Sequence, residues 1–249
     1  MRGLRILLIL VVILAGLFVA ADRLAVNFAE GKVADKIKSS QGLESDPQVS
    51  IKGFPFLTQV ANSQLDEVDI TLDGVTATTE GHSVRVTEVR AVLKDVRINS
   101  SFSSATASQA DGAASISYAD LSGSAPKGAT VSYAGPERAA KGQVKVAGKL
   151  TDILKGAGIP MPDAVAALLG DKVFTAYSEV SVSDGKTVRL RAKSLPDLPV
   201  PGLDEQLQKL IDYDLKIDGM PSSVALSKVT ASPDGLRFSG TGTDVSLTS

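Results

Sequence analysis

Val84-Arg85-Val86-Thr87-Glu88-Val89-Arg90-Ala91-Val92-Leu93-Lys94-Asp95-Val96-Arg97-Ile98 alternates apolar and polar side chains with a period of two, and the alternation changes phase twice. Val84 and Val86 are even-numbered, Val89, Ala91 and Leu93 are odd, and Val96 and Ile98 are even again. A period of two is the spacing of a strand with one buried face, because successive side chains point to opposite sides. A one-residue slip turns the apolar set outward unless an extra residue absorbs it as a bulge, and bulges bend the strand. The segment therefore reads as one long strand bent at two places. Strong curvature is what a sheet needs to wrap around something.

The flanking sequence has the same period. Val49 and Ile51 alternate with Ser50 and Lys52 and run into Gly53-Phe54-Pro55-Phe56-Leu57. Val68, Ile70 and Leu72 alternate with Asp69 and Thr71 and end at Asp73-Gly74, a turn dipeptide. Residues 99–128 are rich in Ser, Ala and Gly and read as weak strand, loop and a short helix near 117–121. Strands are predicted at 129–133 and 142–150, and a loop at 156–170 holds a short helix at 163–169. Asp184-Gly185 joins predicted strands 173–183 and 187–192 as a hairpin. Pro196, Pro199 and Pro201 make a stiff connector. Residues 202–211 read as an amphipathic helix with Leu203, Leu207, Leu210 and Ile211 on one face. A final hairpin spans 223–230 and 236–247 around Pro233-Asp234-Gly235. No repeat of fixed period stands out. The fold class is α+β, mostly β, with a long curved antiparallel sheet.

At the N-terminus, Arg2 and Arg5 precede residues 6–21, a run of 16 without a charged or strongly polar side chain. At 1.5 Å per residue that is about 24 Å of helix, a little short of a hydrocarbon core. Basic residues before the run keep the N-terminus cytoplasmic, so everything from Asp22 onward is expected outside, on the cell membrane or exported. Val19-Ala20-Ala21 suits a signal peptidase, whereas a helix continuing past Asp22 makes a retained anchor. Residues 1–22 are thus an anchor or signal, and 23–249 are expected to form a single domain. Helical spacing does continue: Leu24 with Phe28, Ala29 with Val33 and Val33 with Ile37 lie four apart, and Gly42 is a stop signal.

Composition excludes several classes. There is no cysteine, so an acylated-cysteine lipoprotein, a disulfide framework and any cysteine-based nucleophile or metal site are out. With Arg2 and Arg5 set aside, the remaining residues carry a net charge of −4, which gives no reason to propose nucleic acid as a partner. Aromatics are few, with seven Phe, four Tyr and no Trp, so the core is built from Val, Ala, Leu and Ile.

A search for catalytic chemistry finds little. His82 is the one histidine and follows Gly81 between predicted strands, where an exposed loop residue is the expectation. No G-x-S-x-G elbow, phosphate-cradling G-x-x-x-x-G-K-[ST] or calcium loop is present, and Gly240-Thr241-Gly242 lies inside a strand pattern. Asp66-Glu67-Val68-Asp69 leaves a two-carboxylate glycosidase open, although acids on the wet face of a strand explain the cluster more cheaply. Asn99-Ser100-Ser101 matches a glycosylation sequon. Between Lys127 and Lys149 five basic residues face one acid, Glu137. Lys141, Lys145 and Lys149 are candidates to meet anionic headgroups or a membrane surface, against an ordinary solvated strand face.

Three blocks resemble a known family. Gly53-Phe54-Pro55-Phe56-Leu57-Thr58-Gln59 with Leu65-Asp66-Glu67-Val68, the central Ser117-Tyr118-Ala119-Asp120-Leu121, and Asp234-Gly235-Leu236 through Gly240-Thr241-Gly242-Thr243-Asp244-Val245-Ser246-Leu247 resemble signatures of the LmeA-like phospholipid-binding proteins of actinobacteria. Residues 134–195 match in pattern alone. The resemblance implies a single anchored or exported domain with a tubular lipid-binding architecture, a curved sheet around helix and lipid; the motif search agrees, with no catalytic constellation and no cofactor expected. The resemblance also implies anionic phospholipid partners, phosphoinositides included, and a role in lipoglycan assembly. An aliphatic interior poor in aromatics could leave a groove for acyl chains. Candidate lining residues are Phe54, Phe56, Leu57, Val68, Ile70, Leu72, Val89, Ala91 and Leu93, with dry core packing as their other role. A structural envelope module that binds a protein and no lipid is the alternative.

Overall fold

The structure, a computed structural model, describes residues 2–79, 82–99, 104–195, 205, 207, 208, 211–216, 220 and 222–248. Helix α1 (Arg2–Gln41) opens the chain. It is followed by β1 (Gln48–Lys52), α2 (Phe56–Ala61), β2 (Gln64–Thr79), β3 (His82–Ile98) and β4 (Ser104–Ser117). Next come α3 (Tyr118–Ser124), β5 (Ala129–Tyr133), α4 (Pro136–Ala139), β6 (Gln143–Lys149), α5 (Leu150–Gly156) and α6 (Asp163–Leu169). The chain ends with β7 (Val173–Ser183), β8 (Thr187–Ser194), β9 (Tyr213–Lys216), β10 (Val224–Ser232) and β11 (Gly235–Thr248). The fold is α+β and mostly sheet, with two antiparallel sheets. One has six strands in the order β1-β2-β3-β4-β11-β10, and the other five in the order β5-β6-β7-β8-β9.

Both phase changes in β3 have a structural counterpart. Val86, Leu93 and Val96 are its buried side chains, so the inward set passes from even to odd and back. Between Leu93 and Val96, Asp95 takes a left-handed φ of 49°, and its carbonyl accepts from the Ser108 hydroxyl of β4. At the first change the Thr87 hydroxyl accepts from the Ser117 backbone N–H at 3.1 Å, a side chain standing in for the ladder. The left-handed Asp95 is the kind of backbone irregularity by which a strand takes up an extra residue.

Two expectations are corrected. Asp73-Gly74 is not a turn, since β2 runs on to Thr79 with Gly74 at φ +66° inside it. A left-handed glycine serves a bulge as well as a turn, and the Arg85 guanidinium lies 3.1 Å from where its Cβ would be. Residues 104–117 are one continuous strand, β4, rather than weak strand and loop. Ala107 and Ala110 are its buried positions, and such small residues carry little hydrophobic contrast for a period to be read from. Phe56–Ala61 is helical where the strand reading simply ended, and β9 adds a fifth strand to the second sheet. The prolines 196, 199 and 201, Leu203, Leu210 and Ser100-Ser101 of the sequon lie outside the described residues. Leu207 is helical and buried.

The chain divides into two compact units. The first comprises Met1–Leu72, Arg90–Asp111 and Gly242–Ser249. In it β1 pairs antiparallel with β2, placing Ile51 opposite Val68 and Val49 opposite Ile70. Glu30 of α1 accepts a 2.7 Å hydrogen bond from the Ile51 N–H, covering a donor that the edge strand would otherwise leave open.

The second unit comprises Asp73–Val89 and Gly112–Thr241. Its main core gathers Val144, Val180 and Val188 of the five-stranded sheet with Ala139, Ala231 and Leu236, and Tyr118, Leu190 and Phe238 pack on it. A smaller cluster joins Leu150, Leu154, Leu169 and Leu207. The β7–β8 hairpin turns at Asp184 (φ 51°) and Gly185 (φ 70°), the paired left-handed residues of a type I′ turn.

Candidate functional site

From Leu4 to Val19 the large apolar side chains of α1 stand exposed, and its most apolar stretch has no burial inside the protein. Among the described residues it is the one helix long and apolar enough to cross a membrane, a property that anchors and export signals share. The helix does not stop where the apolar run stops. Past Ala21 it becomes two-faced: Asp22 and Val26 are buried and Ala25, Ala29 and Glu30 half-buried, at the i, i+3, i+4, i+7, i+8 spacing of a helix face. That face packs on β1 and α2. Leu24 and Phe28, paired correctly by spacing, point the other way and are 72% and 69% exposed.

Asp22 is the anchor of this packing. Its side chain is fully buried. Oδ1 accepts a 2.8 Å hydrogen bond from the Leu57 N–H, the Phe56 N–H is a second donor, and Oδ2 pairs with the Arg23 guanidinium at 2.6 Å. Those two N–H groups open α2, whose N-cap residue is Pro55 and supplies no side-chain cap. The carboxylate comes instead from another helix and satisfies orphan donors at an end where negative charge is favoured. Sequence reasoning missed this role. The signal was available: a lone acid immediately after an apolar run, in phase with Val26 and Ala29.

The Gly53–Gln59 block is built around the same point. Gly53 has φ +92°, and a Cβ there would collide with the Asp66 carboxylate and the Gln59 amide. Gln59 is buried; its Nε2 donates to the Lys52 carbonyl at 3.2 Å, and its Oε1 accepts from the Asp66 N–H at 2.8 Å. It thereby ties the end of β1 to the start of β2. The Thr58 hydroxyl donates to the Pro55 carbonyl at 2.8 Å. Glycine, glutamine and the acid hold backbone; the apolar side chains divide. Phe56 is buried at 6% exposure, whereas Phe54 and Leu57 are 57% and 37% exposed, with the Arg23 guanidinium 5.2 Å from the Phe54 ring centroid.

The remaining apolar candidates lie on the strands. Val68 and Leu93 are buried, and Ile70, Leu72 and Ala91 are half-buried in the first unit. Val89 is half-buried and falls in the second unit. Val68, Ile70 and Leu72 share one face of β2 with Ile51 and Val49 across the β1 register. Of the basic candidates, Lys141 is exposed in the turn before β6, Lys145 is half-buried on β6, and Lys149 is exposed at its end. Lys149 donates to Asp171 at 2.8 Å, and that bonded carboxylate raises the lysine pKa above its ordinary value.

The other two blocks are also geometric. Ser117 caps α3, its hydroxyl accepting from the Asp120 N–H at 3.1 Å and donating to the Asp120 carboxylate at 2.6 Å. The Tyr118 hydroxyl reaches the Ser232 carbonyl at 2.9 Å. A Cβ on Gly235 would collide with the Ile116 carbonyl oxygen. Ser117→Ala removes the cap and should cost about 1 kcal/mol. The expected result is a thermal midpoint roughly 2–4 °C lower by circular dichroism, and no change would contradict the cap.

An N-terminal helix that is apolar in its first half and packs its second half on the edge strand of an antiparallel sheet defines the class: an α+β protein carried behind an N-terminal apolar helix. The profile of the LmeA-like phospholipid-binding family matches residues 20–241, nearly the whole chain, and includes the first two blocks and the start of the third, Asp234 to Thr241. The chain belongs to the LmeA-like phospholipid-binding family. No curated protein and no solved structure matches it.

Proposed function

We propose that this protein is a non-enzymatic phospholipid-binding protein of the cell envelope that holds anionic lipid, with α1 retained as a single-pass anchor, its N-terminus cytoplasmic and the rest of the chain outside. The observation that carries the reading is the family match over residues 20–241. The apolar set on β2 and β3 supports it. Ile70, Leu72 and Ala91 are only half-buried, and each acyl methylene laid on such a surface contributes about 0.8 kcal/mol. Holding or passing on a phospholipid, phosphoinositides included, serves lipoglycan or envelope assembly.

Lys141 and Lys145 of the second unit are proposed to meet the negatively charged lipid surface, and Lys149, already paired with Asp171, adds less. The test is titration of the full chain in zwitterionic micelles with short-chain phosphatidylglycerol and phosphatidylcholine. At about 1 kcal/mol per basic residue, Lys141→Gln with Lys145→Gln should weaken phosphatidylglycerol binding roughly 30-fold and leave phosphatidylcholine unchanged. An equal loss for both lipids, or none, would contradict the anionic assignment.

A further inference from the structure

The apolar run of α1 is too short for the membrane it is meant to cross. Residues 6–21 give about 24 Å of helix against a hydrocarbon core of about 30 Å, a deficit of roughly four residues. Those next four residues are Asp22, Arg23, Leu24 and Ala25. Charge there would be costly, yet the Asp22 carboxylate has no exposure at all, because it is turned in to cap α2. The Arg23 side chain is 48% exposed and runs over the Phe54 ring, long enough to snorkel to the headgroups. The other side chains that this layer exposes are apolar. Phe54 and Leu57 flank the Asp22–Arg23 side of the helix. Leu24 lies about 200° round the axis and Phe28 about 240° round, on the opposite side. Lys32, one turn past Phe28, sits over its ring at 5.6 Å, where a basic residue reaches headgroups.

We infer that the Phe54–Leu57 elbow, with Leu24 and Phe28, is a membrane-seating collar that dips into the outer leaflet of the bilayer spanned by α1 and completes its hydrophobic length. The occupant is the lipid leaflet itself. α1 is continuous from Arg2 to Gln41, and the Leu57 N–H is hydrogen-bonded to the first residue beyond the apolar run, so the elbow is fixed at the height where the span ends. Seated in this way, the β1–β2 edge stands at the leaflet surface. This inference rests on the reading of α1 as a retained span and adds a surface which that reading does not contain.

The chain lacks cysteine, so a single introduced thiol can be labelled. The full chain is reconstituted into phosphatidylcholine–phosphatidylglycerol vesicles with an environment-sensitive fluorophore at Phe54→Cys, at Leu57→Cys or, as control, at Lys36→Cys, which is exposed and about 21 Å further along α1 than Asp22. The expected result is blue-shifted emission at both elbow positions and quenching by headgroup-region spin-labelled lipid several-fold stronger than at Lys36. Elbow labels as water-exposed and unquenched as the Lys36 label overturn the collar, whether or not α1 has inserted. Phospholipid extracted from the same protein before reconstitution reads the functional proposal separately. Lipid-free protein with quenched elbow labels retains the collar and removes the lipid-holding function; lipid-bearing protein with unquenched labels does the reverse.

Discussion

Asp22→Ala is expected to destabilise the first unit by about 3 kcal/mol, because it strips a buried acceptor from two backbone donors and breaks an ion pair whose acid is buried. Arg23 is half exposed and relaxes into water, so the loss is dominated by the orphaned Phe56 and Leu57 N–H groups. For a chain of this length the thermal midpoint should fall by roughly 6–12 °C, read by circular dichroism on the full chain in micelles. Asp22→Asn keeps an acceptor oxygen at Leu57 and should cost nearer 1 kcal/mol. An alanine variant that melts with the parent would show that the carboxylate does not hold α1 to the elbow.

Gly53→Ala should be comparably severe for a different reason. A side chain at φ +92° costs about 1–2 kcal/mol in backbone strain. The new Cβ also displaces the Gln59 amide, leaving the Lys52 carbonyl and the Asp66 N–H without their partner. Together these amount to about 3 kcal/mol. Hydrogen exchange at the Asp66 amide gives the specific readout: it should accelerate together with the lowered midpoint. Unchanged protection at Asp66 would contradict the clip.

Much of the fold was legible because its strands have one clearly apolar face. The β3 phase changes, β5, β7, the Asp184-Gly185 turn, α6 and the last hairpin all carry strong local signals, and the structure places them within a residue or two. β4 was not legible. Its inward positions are alanines, and alanine, serine and glycine look alike to a hydrophobic period. The turn at Asp73-Gly74 was misread because a glycine at positive φ serves a bulge equally well.

The site was half legible. The Gly53–Gln59 block stood out, but sequence could not say that Phe56 turns in while Phe54 and Leu57 turn out. That division depends on α2, on a glutamine bridging two strands, and on a carboxylate 35 residues away in sequence from Leu57. Long-range partners of this kind leave no periodic trace.

Underneath these details lies one claim, that the apolar face of β2 and β3 is completed by fatty acyl chains. Native mass spectrometry of the full chain, freed from micelles and paired with a solvent extract, tests it most directly. Bound lipid gives a second series of peaks heavier than the 25.8 kDa chain by the mass of a phospholipid, reduced when Ile70→Asp puts a charge on that face. A single series at the mass of the bare chain, with no phospholipid in the extract, would contradict it.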